Sequence, residues 1–146
     1  MTDTLRRILL AATLLSAATA EGAGLRIDNA WVREAPPGAA MLAAYLTLHN
    51  DGDQERVLVA VDSPRFSHVM LHRSLVVDGI ARMEHVDELK IPAGGSLSLA
   101  PGGYHLMLSA VDPAPRAGDK VEFVLHFRNG EAISVQLPVR RAGSGH

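Results

Sequence analysis

The chain has 146 residues, 47% of them apolar and 21% charged, a balance that suits one globular domain with a single core. A formal net charge of -2 and the lack of any Lys/Arg run exclude nucleic acid and anionic membrane surfaces as expected partners, since both require a concentrated basic patch. There is no cysteine, which excludes disulfides, thiol redox chemistry, a Cys nucleophile and thiolate metal sites, and leaves five methionines and seven histidines as the soft or borderline ligands.

In chain order, the first element is a leader. Arg6 and Arg7 precede the apolar run ILLAATLLSAATA, and Ala18-Thr19-Ala20 has the small-x-small pattern of a cleavage site before Glu21. The run is shorter than the roughly 20 apolar residues needed to span a bilayer. Residues 1–20 are therefore expected to be a secretory signal peptide cleaved near Ala20, so the mature protein is exported, periplasmic and without a membrane span. Residues 21–140 form the expected folded domain, and 141–146, ending in His146, a flexible tail. With no cysteine, a lipobox is not expected.

From residue 25 onward the pattern is of short strands separated by turns. LRIDNAWV, AAYLTLHN, ERVLVAVDS, HVMLHRSLVV, IARMEHV, SLSLA, YHLMLSA, KVEFVLHF and AISVQLPV read as strands, and PPG, NDGD, DG, IPAGG, APGG and NG as breaks. No long window carries a helical repeat. The expected fold class is all-β, a sandwich or barrel. Asp78-Gly79 and Asn129-Gly130 are expected to form tight type I′ hairpins, because that turn demands positive φ at both central residues.

Counting outward from Asp78-Gly79 places Val77 opposite Ile80, Ser74 opposite Met83 and His72 opposite His85. His72 and Met83 then share one face as diagonal neighbours, with Cα atoms roughly 7 to 8 Å apart. In YHLMLSA, His105 and Met107 alternate with Leu106 and Leu108, so one face holds a histidine and a methionine where the pattern assigns solvent. Two imidazoles and two thioethers make a neutral, soft donor set. Such a set suits Cu(I), whereas Zn(II) favours thiolate, imidazole or carboxylate, and Mg(II) and Ca(II) require oxygen. A blue-copper electron-transfer site would need a Cys thiolate.

The four residues His72, Met83, His105 and Met107 fall in the spacing H-x10-M-x21-H-x-M. In this spacing, and in NAWVREAPPG, AAYLTLHNDG, IPAGGSLSLAPGGYHLML and GDKVEFVLHF, the chain closely resembles the PCu(A)C family of periplasmic copper chaperones. The resemblance implies a cupredoxin-like β-sandwich binding one Cu(I) through His72, Met83, His105 and Met107. It also implies delivery of copper toward the dinuclear copper site of cytochrome c oxidase, with subunit II or another periplasmic copper protein as partner. A monomer is expected.

Taken singly, a strand histidine is more often hydrogen-bonded and a methionine more often fills a core gap; the constellation is what outweighs that reading. His68, Met70 and His85 lie beside the motif, and each is read first as structural, with a secondary ligand role as the alternative. Trp31, Tyr45 and Met41 are expected to pack in the core or at its edge. No G-x-S-x-G, paired-carboxylate or nucleotide motif is present, so no enzyme is expected. A copper buffer without a dedicated acceptor, or less favourably a copper redox enzyme, remains as an alternative to the carrier.

Overall fold

A computed structural model describes residues 24–143. The expected leader, its cleavage site and His146 lie outside those residues. Ten strands follow in order: β1 (Leu25–Arg33), β2 (Met41–Asn50), β3 (Arg56–Asp62), β4 (Val69–Val77), β5 (Ile80–His85), β6 (Leu89–Ile91), β7 (Ser96–Leu99), β8 (Tyr104–Ser109), β9 (Lys120–Phe127) and β10 (Ala132–Arg140). Nine correspond to expected strands; β6, three residues long, was not expected, because it is too short to show alternation.

The fold is an all-β, cupredoxin-like sandwich. The strand order is β5-β4-β8-β2-β1-β10-β9-β3-β6, with β7 also pairing β2. All pairings are antiparallel except β1 with β10, which run parallel through Val32↔Val139 and Arg33↔Arg140 and join the two layers. A register shift between Asp28 and Trp31, with Asn29 at φ 48°, bends β1 so that its second half reaches β10. Between the layers lie Leu25, Leu46, Leu48, Leu58, Phe123, Leu125 and Leu137, each 1% exposed or less. Burial of this aliphatic and aromatic surface is the main favourable contribution to folding.

The turns set the registers. Asp78 and Gly79 have φ of 51° and 76°, as a two-residue I′ turn requires, and Val77 pairs Ile80 as counted. The second hairpin departs from expectation. Phe127 N–H bonds Glu131 O at 2.9 Å, so the loop holds three residues, Arg128 to Gly130; only Gly130 has positive φ, at 87°. Asn129 instead uses its side chain, accepting the Glu131 N–H at 2.9 Å, an Asx-type contact that fixes the loop without a left-handed Asn. Ala100-Pro101-Gly102-Gly103 forms the β7–β8 turn, with Gly103 N–H to Ala100 O at 3.0 Å and Gly102 at φ 85°. Pro then sits at the second position and Gly at the third, the placement a type II turn favours.

Leu106, fully buried on β8, separates His105 from Met107 and anchors that strand in the core. Leu106→Ala should destabilise the protein by about 2–5 kcal/mol in urea unfolding, from lost transfer energy plus a cavity. A loss under about 1 kcal/mol would mean that β8 is not held by the core in this way.

Candidate metal centre

Strands β5, β4 and β8 lie side by side. Their registers pair His72 with His85 on one side and with His105 on the other, while Met70 pairs Met107 and Ser74 pairs Met83. Cross-strand partners project from the same face. One face of this three-stranded ribbon therefore carries a Met/His pair at i, i+2 on every strand: Met83 and His85, Met70 and His72, His105 and Met107. The opposite face is apolar at its centre, with Leu71 5% exposed and Leu106 fully buried. The core fixes which way these side chains point, since sliding one strand by a residue would exchange the two sets.

The structure brings His72 and His105 together, with ring centroids 6.0 Å apart and planes at 66°. His85 lies 5.8 Å from His72 on the other side, edge-on at 87°. Met107 is two residues along β8 from the His72↔His105 pair, on the same face, and Met83 is diagonal to His72 from β5, as the hairpin count requires. Exposure is graded across the ribbon. Met83 is 52% exposed on edge strand β5, His72 and Met107 are half-buried, and His105 is 5% exposed. This corrects the assignment of the His105 face to solvent. The β2 strand continues the sheet beyond β8, and on its side of the ribbon Tyr45, itself buried, packs on Trp31 at 4.9 Å.

The His105 ring is held by one bond. Its Nδ1 lies 3.1 Å from Gly103 O, and because a carbonyl only accepts, the proton must sit on Nδ1. Nε2 of the neutral ring is then a lone pair. The same carbonyl accepts the Ser74 N–H at 3.0 Å, tying β4 to the turn that positions His105. Such a bond to the far nitrogen is the usual device that orients a metal-ligating histidine. The role of Gly103 was not legible in the sequence, because a backbone acceptor leaves no trace in residue type.

Nε2 of His105 and Nδ1 of His72 are buried and have no hydrogen-bond partner. An orphaned buried polar atom costs about 1–3 kcal/mol, so two of them on neighbouring rings is an unusual arrangement unless an ion occupies the gap. His126 Nε2 is also buried without a well-aligned bond, but it faces Asp62 at 2.8 Å. Among the described residues no three His, Asp or Glu side chains gather as a metal cluster. An ion between His72 and His105 would complete its shell from the thioethers, which suits a soft, monovalent metal.

The neighbours not assigned to the motif are also placed. His85 Nε2 lies 3.3 Å from Asp87 Oδ1, and His68 Nδ1 lies 3.2 Å from Ser67 Oγ, both exposed. Met41, expected as core filling, is instead 40% exposed at the start of β2 and pairs Ser109. His49 pairs with Asp28 at 2.9 Å. A cleft of about 980 Å³ lies apart from the histidines, with Pro36, Pro37, Val111 and Pro115 among its lining residues.

The family described as "Putative lipoprotein LpqE-like" matches residues 25–139. "Putative lipoprotein Lxx21020" of Leifsonia xyli subsp. xyli is 34% identical over 118 residues, covering 80% of this chain and 70% of that protein. Among solved structures, the Cu(I) form of DR1885 from Deinococcus radiodurans superposes with a TM-score of 0.64 at 33% identity, covering 80% of this chain and 78% of that one. The apo PCuAC domain from PmoF1 has a TM-score of 0.68 at 22% identity, covering 81% and 94%, a likeness of fold.

Burial, then the charges His105 and His85 would carry, hold His72 below the usual histidine pKa. The native state then takes up its proton less readily than the unfolded chain. The contribution of His72 to apo stability is full above about pH 6.5 and declines as pH falls from there toward its lower folded value. In NMR titration of the apo protein His72 should titrate below about 6.5. A midpoint at or above that value would contradict the packing described.

Proposed function

The chain belongs to the LpqE-like family, a PCu(A)C-related family, and from that premise we propose that it is an exported copper carrier. It binds one Cu(I) through His72, Met83, His105 and Met107 and passes the ion toward the dinuclear copper site of cytochrome c oxidase. The observation that carries this reading is the pair of orphaned nitrogens on His72 and His105, flanked on one face by thioethers. The Cu(I) form of DR1885, similar at 33% identity, supports the choice of ion. Two neutral imidazoles and two neutral thioethers leave the single positive charge of Cu(I) uncompensated, which favours the soft monovalent ion over Cu(II) or Zn(II).

The residues divide the work. His105, buried and oriented by Gly103 O, is the fixed donor. His72 faces it from β4. Met83, half in solvent on the edge strand, is the donor that an acceptor displaces first, so that the ion never passes free through water. No bond of the cargo is made or broken beyond ligand exchange, and the chain acts as a carrier, not a catalyst. Residues 21–140 are the carrier domain; the leader at 1–20 directs it to the periplasm.

Copper-loaded mature protein mixed anaerobically with the apo soluble domain of oxidase subunit II should transfer its ion, read as the copper content of the acceptor after the two proteins are separated. Retention of the ion at equilibrium would favour a buffer built on the same site. His105→Ala should lower Cu(I) affinity by at least about 100-fold in chelator competition, in the range that loss of a ligand or its support costs. An unchanged affinity would remove His105 from the ligand set.

A further inference from the structure

Two registers on β4 distinguish the thioethers. Met70 pairs Met107 directly, as His72 pairs His105, so these four residues form two adjacent rows across a single strand pair. Directly opposed residues have Cβ atoms about 4.5–5.5 Å apart. Met83 is differently placed. It stands opposite Ser74, on the far side of β4 from Met107, and Ser74 and Met70 are four residues apart, roughly 13 Å along a strand at about 3.3 Å per residue. Met83 and Met107 therefore approach the histidine row from opposite corners, and Met83 does so from solvent, at 52% exposure against a half-buried Met70.

We propose that Met70 is a fifth copper ligand, exchanging with Met83. With Met70 bound, the ion lies in the compact inner set Met70, His72, His105 and Met107; with Met83 bound, it lies in the outer set nearer the edge strand. The three shared donors hold Cu(I) throughout, and one thioether leaves as the other arrives, so charge and coordination number are unchanged. Met70 then retains the ion in transit and Met83 presents it. The long, unbranched methionine side chain has the freedom this requires. The inference rests on the copper reading above but concerns a residue outside the H-x10-M-x21-H-x-M spacing.

The test uses the full mature protein and its Met70→Leu, Met83→Leu and double variants, all nearly volume-conserving, with thermal unfolding to confirm that each still folds. X-ray absorption of the Cu(I) forms counts sulfur, and anaerobic chelator competition gives affinity. Met83→Leu should keep two sulfur scatterers and lose less than about 10-fold in affinity, because Met70 takes the vacated position. The double variant should fall to one sulfur and lose at least about 100-fold. A single sulfur in Met83→Leu, or a double variant no weaker than Met83→Leu, overturns the role of Met70 while leaving the copper reading intact. Wild-type protein that binds no Cu(I) overturns the copper reading itself.

Discussion

The antiparallel register of β4 on β8 is the constraint on which the candidate site depends. It sets His72 opposite His105 and, by alternation, sends Leu71 and Leu106 into the core. Because the side-chain period is two residues, the same apolar contacts that stabilise the sandwich also hold both imidazoles on the outer face. A slip of one residue would expose Leu106 and bury the ligand edge, at the cost of a fully buried leucine. The geometry of the candidate site is thus enforced by the core and needs no covalent staple, which suits a chain without cysteine.

Around that register the sequence supplies gradation. Edge strand β5 is exposed at every residue, β4 is mixed, and β8 is largely buried. The candidate donors therefore sit at different depths, His105 innermost and Met83 outermost. Depth governs how readily a donor can be replaced, since a half-exposed thioether loses few packing contacts when it swings away, whereas His105 is held by a backbone bond as well as by burial. A carrier needs both properties in one shell. In the proposed shell the neutral donors would leave the ion's charge unpaired, which gives an acceptor offering an anionic ligand an electrostatic advantage.

Much of this was legible in the residues, for identifiable reasons. Asp78-Gly79 admits one hairpin, so the positions of Ser74, Met83, His72 and His85 could be counted before any fold was known. Alternation in YHLMLSA separated His105 and Met107 from the core leucines. What could not be read was how distant segments meet. The pairing of β4 with β8 joins residues 33 positions apart at His72 and His105, and nothing local encodes it. For that reason Met70 read as structural, and the His105 face as solvent. The loop at Asn129 failed differently, because an Asn-Gly pair suits both a two-residue turn and a three-residue loop with Gly in the left-handed position. Strand β6 has too few residues to carry a pattern.

The central claim is that the orphaned nitrogens of His72 and His105 are copper donors, and long-range proton–nitrogen NMR of the imidazoles tests it most directly. On adding one equivalent of Cu(I) to the apo protein, the ring nitrogens of His72 and His105 should shift together. His105 should respond at Nε2 while Nδ1 keeps the proton it donates to Gly103 O. Unchanged His72 and His105 nitrogens with a shift at His49 or His126, or coordination of His105 through Nδ1, would contradict the account.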